Sequence, residues 1–109
     1  MRRGYTAQPM TADDFRTTLG DSRPPGGAGP ALQALWHDGR GDWDRAHEVA
    51  QEIEGQTGAW VHAYLHRKEG DASNAAYWYR RAGRPVCGDP LDAEWQAIVT
   101  ALLAEAGTD

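Results

Sequence analysis

From Pro30 onward, apolar residues return at helical spacing. Leu32, Leu35 and Trp36 form one stripe, and Ala46, Val49, Ala50 and Ile53 a second. Ala75, Trp78, Tyr79 and Ala82 form a third, and Leu91, Trp95, Ile98 and Leu102 a fourth. Steps of three and four keep side chains on one helix face. The pattern predicts helices from Pro30 to about Gly39–Gly41, from Asp42 to about Glu54, and from about Ala59 to Glu69. Two more are expected from about Ala72 to Ala82 and from Asp89-Pro90 to about Ala106. A short helix from about Thr11 to Leu19 is opened by Thr11 with Asp14 three residues on, a capping-box spacing. The punctuation between helices is Gly41-Asp42, Gly55-Gln56-Thr57-Gly58, Gly70-Asp71 and Gly83, and Arg84 to Asp89 reads as a loop. Asp at a helix start accepts the free N–H groups of the first turn. No run reads convincingly as a strand.

Residues 1–29 read as an N-terminal tail, the short helix and a linker. The stretch from Gly20 to Gly29 holds two prolines and four glycines and cannot continue a helix. Residues 30–106 read as one all-α domain. Its second feature is an internal repeat. A shift of 29 residues aligns Ala34 with Ala63, His37 with His66, Gly41 with Gly70, Asp42 with Asp71 and Ala46 with Ala75. The matches fall at a helix–helix turn and one turn into the second helix, as in stacked helical hairpins.

Gly41-Asp42-Trp43-Asp44-Arg45-Ala46, Gly70-Asp71-Ala72-Ser73-Asn74-Ala75 and the run Ala76-Tyr77-Trp78-Tyr79-Arg80-Arg81-Ala82 carry a resemblance to the tetratricopeptide and Sel1-like repeat superfamily. It covers about Pro30 to Arg84, at a spacing of 29 rather than the usual 34 residues. His62 and His66 stand where that superfamily has Leu and Tyr in the first helix. The segment from Trp60 to Arg84 is also similar to a group of small, mostly bacterial proteins that carries no known activity. The resemblance implies a compact, TPR-like stack of about six helices. The C-terminal helix would cap the stack, its acidic residues facing water.

Composition narrows the function classes. The chain has 109 residues and a net charge of -5. An acidic balance argues against general nucleic-acid binding, which needs a basic face. The only cysteine, Cys87, excludes an internal disulfide and a Cys-rich zinc site. Arg2 and Arg3 precede no apolar run, and no stretch approaches a membrane span, so a cytoplasmic protein is expected. Ten arginines against one lysine is the bias of a GC-rich, bacterial genome. The charge is unevenly placed: Trp60 to Arg84 carries +3 and the remainder -8.

Two groups can carry chemistry. The first is aromatic and basic. By the resemblance, Trp60, Tyr64, Arg67 and Lys68 would point into the concave groove of the hairpins, continued by Arg80, Arg81 and Arg84. Aromatics supply contact area, and Arg or Lys fixes a carboxylate or phosphate. This predicts a small non-catalytic binding or adaptor domain for a protein partner or an anionic ligand. The same residues also have plain roles, as core aromatics and as cations complementing helix C-termini.

The second group is His62, His66 and Glu69, on one face of the fourth helix at spacings of four and three. Asp44 and His47 on the third helix can complete a divalent metal site if they face the same gap. The alternative function is therefore metal or small-molecule binding, with core histidines bonded to carbonyls or carboxylates as the plain reading. Asn74 can bond His66 or a nearby loop. Trp36, Trp78 and Trp95 are expected in the core, and Trp43 as a packing residue at a helix start. No catalytic triad, phosphate loop or His-Glu-x-x-His motif is present. A third route is self-association through an exposed apolar face of the last helix.

Overall fold

The structure is a computed structural model that describes residues 10–106. Among these it is all-α: α1 (Ala12–Thr17), α2 (Pro30–Gly39), α3 (Trp43–Gln51), α4 (Gly55–Lys68), α5 (Ala72–Ala82) and α6 (Leu91–Ala106). A 3-10 turn, Thr18–Gly20, extends α1. The expected N-terminal tail lies outside the described residues apart from Met10. None of the helices is long and apolar enough to cross a membrane.

The architecture is two helical hairpins, α2–α3 and α4–α5, with α6 laid across α1, α2 and α4. The 29-residue repeat is a repeat of turn geometry. Gly41 and Gly70 take φ values of +86° and +92°, a left-handed backbone that a side chain would strain. Asp42 N–H donates to the His37 carbonyl at 2.9 Å, and Asp71 N–H donates to the His66 carbonyl at 2.9 Å. The Asp42 carboxylate then caps Arg45 N–H at 3.1 Å, and that of Asp71 caps Asn74 N–H at 3.3 Å. Ala34, Ala46, Ala63 and Ala75 are all buried where the hairpin backbones approach. A turn this short forces its two helices to lie antiparallel and adjacent.

The main core gathers Phe15, Leu32, Leu35, Trp36, Val61, Leu65, Trp95, Ile98, Val99 and Leu102. Phe15 is fully buried, so the core extends N-terminally beyond residue 30 to include α1. The Thr11–Asp14 capping box forms with both bonds present. Three indole N–H groups then lock elements together. Trp36 donates to the Thr18 carbonyl at 3.1 Å, Trp95 to that of Leu35 at 2.9 Å and Trp43 to that of Leu65 at 2.8 Å. The Gly/Pro-rich linker is tied at its ends. The Arg40 guanidinium donates to the Leu19 and Asp21 carbonyls, and the Gln33 amide donates to that of Ala28.

Two sequence expectations shift. α3 ends at Gln51, three residues before Glu54, and Gly55-Gln56-Thr57-Gly58 is the first turn of α4 rather than a connecting turn. The second of these glycines serves a close approach. A Cβ on Gly58 would sit 2.2 Å from the Ile53 carbonyl oxygen, which is backbone and cannot step aside. Gly58→Ala therefore destabilises the protein by about 1–3 kcal/mol, despite the ~1 kcal/mol that Ala normally adds to a helix interior. Chemical denaturation of the two proteins measures this directly. A variant as stable as the parent would show that the α3–α4 junction is free to open.

Candidate metal centre

Burial sorts the residues of α4 into two faces with different chemistry. On one face, Tyr64, Arg67 and Lys68 meet two buried carboxylates. The Tyr64 hydroxyl donates to Asp38 Oδ2 at 3.0 Å, and Lys68 Nζ donates to Asp38 Oδ1 at 2.9 Å. Arg67 Nη1 donates to Glu94 Oε1 at 2.7 Å, and the guanidinium also reaches the Asp89 carbonyl. The Tyr79 hydroxyl adds a bond of 2.6 Å to Glu94 Oε2. Burial beside these carboxylates pushes both phenols, Tyr64 and Tyr79, well above the usual tyrosine range. Glu94 is 3 % exposed, which corrects the expectation that the acidic residues of the last helix all face water.

The expected aromatic-basic group is thereby divided. Tyr64 is buried, and the partly buried Arg67 and the exposed Lys68 are each paired with a buried carboxylate. Trp60 is half-buried, with the Arg84 guanidinium carbon 3.3 Å from its ring centroid. Arg80, Arg81 and Arg84 are exposed. Arg81 lies over the Trp78 ring and donates to the Tyr77 hydroxyl at 3.1 Å.

The other face of α4 carries His62 and His66, and α3 brings His47 against them. One ring nitrogen from each of the three lies within 4.8 Å of the others. The Nε2 atoms of His47 and His62 are 3.0 Å apart, bonded through a single proton. His66 Nδ1 is 2.6 Å from Glu69 Oε2. A carboxylate accepts, so Nδ1 carries the proton and Nε2 of His66 keeps its lone pair.

Tryptophans wall the cluster on both sides. The Trp43 ring stacks on His47 at 4.9 Å and the Trp78 ring on His62 at 4.0 Å. His62 and His66 stack on each other at 4.8 Å. Burial, then the neighbouring imidazoles, pushes the His62 pKa down to about 4. Burial, with His66 nearby, lowers that of His47 as well. Both rings are held in the neutral form that ligates metals.

Asp44 does not join this group. It is exposed in the first turn of α3, and its carboxylate is not among the atoms that meet. Glu69 comes close through His66, and one Glu69 oxygen, one Asp71 carboxylate oxygen and one His66 nitrogen lie within 4.8 Å of one another. Asp71 is engaged as the α5 cap and accepts from the Asn74 amide at 3.4 Å, so Asn74 bonds this aspartate rather than His66. Trp78, expected in the core, is half-buried and forms a wall of the site. The fourth histidine, His37, packs edge-on against Trp36, outside the cluster.

Sequence reasoning missed Asp38 and Glu94, yet a signal was there. Glu94 falls on the Leu91–Trp95–Ile98 stripe, and Asp38 lies three residues after Leu35 and four after Ala34. An acidic residue on an apolar stripe calls for a buried cationic or hydroxyl partner. Removing Glu94 by Glu94→Ala leaves Arg67 without its carboxylate and costs about 3–5 kcal/mol. Tyr79→Phe removes one bond to a charged group and costs about 1.5–3 kcal/mol. Denaturant midpoints with unchanged slopes check both values, and a Glu94→Ala loss below that of Tyr79→Phe would refute the buried pair. No family model matches the chain, and no curated protein or solved structure matches it either.

Proposed function

We propose that this protein binds a divalent transition-metal ion, of the zinc type, through His47, His62 and His66. The observation that carries this reading is the convergence of three imidazoles from two hairpins at one point. Imidazole is the commonest metal-ligating side chain, and three with one open position is a recurrent arrangement for zinc. A tetrahedral ion with bonds of about 2.0–2.1 Å holds its nitrogens roughly 3.3 Å apart. The Nε2 atoms of His47 and His62 already stand 3.0 Å apart, and no separation in the group exceeds 4.8 Å. Small side-chain rotations close the difference.

Glu69 supports the same reading. A histidine ligand commonly donates its second N–H to a carboxylate, which fixes the tautomer and raises the basicity of the ligating nitrogen. The Glu69–His66 contact has that form. The stacked tryptophans restrict the rings.

A second reading, recognition of an acidic or anionic partner, is favoured by the exposed run of Arg80, Arg81 and Arg84 beside Trp60. In this reading Arg67 and Lys68 act indirectly, holding α4 in place. The TPR-like resemblance supports it to the extent that two hairpins repeat at a fixed offset.

Metal analysis of protein purified without a histidine tag and reconstituted with Zn2+ tests the first reading. One ion per chain is expected for the parent and for His37→Ala. His62→Ala and His66→Ala lose it, and Glu69→Gln weakens binding by about 10–100-fold. No bound ion in the folded parent, or equal binding by His62→Ala, overturns the proposal.

A further inference from the structure

A cavity of about 500 Å³ opens beside the histidine cluster, lined by Gln51, Glu54, Gln56, His62, Trp78 and Arg81 among others. His62 belongs both to this wall and to the proposed metal centre. Three protein ligands leave a tetrahedral ion one free position, which water or an exogenous ligand takes. The next cation in the same cavity is Arg81.

The spacing of these two anchors is bounded by Trp78. The His62 ring lies 4.0 Å from the Trp78 ring, and the Arg81 guanidinium carbon lies 5.2 Å from it. The two groups are therefore at most about 9 Å apart. Arg81 has no carboxylate partner among the described residues. Its hydrogen bond goes to the neutral Tyr77 hydroxyl. This sets it apart from Arg16, Arg45 and Arg67, each of which is paired with an acid. The amide side chains of Gln51 and Gln56 add neutral donors, and Glu54 supplies the one carboxylate of the lining.

On the metal reading above, we infer that this cavity takes a small dicarboxylate. One carboxylate fills the open position on the ion, and the other pairs with Arg81 in the bidentate geometry that guanidinium favours. An ion on His62 and the Arg81 guanidinium, bordering one cavity, select for two negative ends, because a monocarboxylate satisfies only one of them.

The test uses the full chain loaded with Co2+, whose visible absorption reports its coordination sphere. Succinate, acetate and neutral succinamide are titrated in turn. Succinate is expected to shift the Co2+ bands and to bind at least tenfold more tightly than acetate, with succinamide inert. Arg81→Gln keeps Co2+ bound while its succinate affinity falls to the acetate level. Arg81→Lys, which retains the charge but not the fork, lies between. If Co2+ binds but succinate and acetate are equivalent, the dicarboxylate assignment is overturned and the metal reading stands. The same holds if Arg81→Gln retains the succinate preference, or if succinate binds without moving the spectrum. If the parent chain binds no Co2+, both readings fall together.

Discussion

A carboxylate does not stay ionised inside an apolar core without partners, and the placement of α4 follows from how two of them are satisfied. Asp38 comes from α2 and Glu94 from α6, and both are almost fully buried. Each draws a cation from the C-terminal half of α4, Lys68 to Asp38 and Arg67 to Glu94. Each also takes a phenol, from Tyr64 and from Tyr79. These bonds fix the rotation of α4 about its axis. Any other rotation would leave the buried carboxylates of Asp38 and Glu94 without their cations.

That rotation decides what the opposite side of α4 presents. With Tyr64, Arg67 and Lys68 turned toward α2 and α6, His62 and His66 are turned toward α3 and α5. The hairpin turns set the axial register. Gly41-Asp42 and Gly70-Asp71 hold α3 and α5 at matching offsets, so His47 arrives level with His62 and Trp78 stacks on the His62 ring. The histidine cluster is thus a consequence of two independent constraints, turn geometry along the helices and buried charge around them.

Much of this was legible in the sequence, for identifiable reasons. Helix existence followed from the stripes, and the turns from Gly-Asp, because periodicity and left-handed glycine are local properties. The spacing of His62, His66 and Glu69 placed them on one face for the same reason. His47 was legible as a candidate, but its meeting with α4 depends on tertiary register. The groove grouping relied on a shared helix face. Tyr64 and Lys68, four residues apart, do share a face, but that face is turned inward to Asp38, a partner on another helix. Gly58 misled because propensity treats glycine as a breaker, whereas here it admits the Ile53 carbonyl.

The uneven charge now has a structural account as well. Two of the five cations between Trp60 and Arg84 are consumed by Asp38 and Glu94, acids that belong to other helices. The other three are Arg80, Arg81 and Arg84, exposed on or just beyond the end of α5. Of these, Arg81 lines the cavity that borders the histidines. An ion held by His47, His62 and His66 would join α3 to α4, adding to the Asp38–Lys68 pair that joins α2 to α4. Such an ion binds the folded chain and not the unfolded one. Its contribution to stability therefore grows as RT ln(1 + [L]/Kd), about 4 kcal/mol at a thousandfold excess over Kd. That is comparable to the cost of breaking one of the buried carboxylate pairs. The α3–α4 contact, which no ion pair spans among the described residues, is the junction that a bound ion would reinforce.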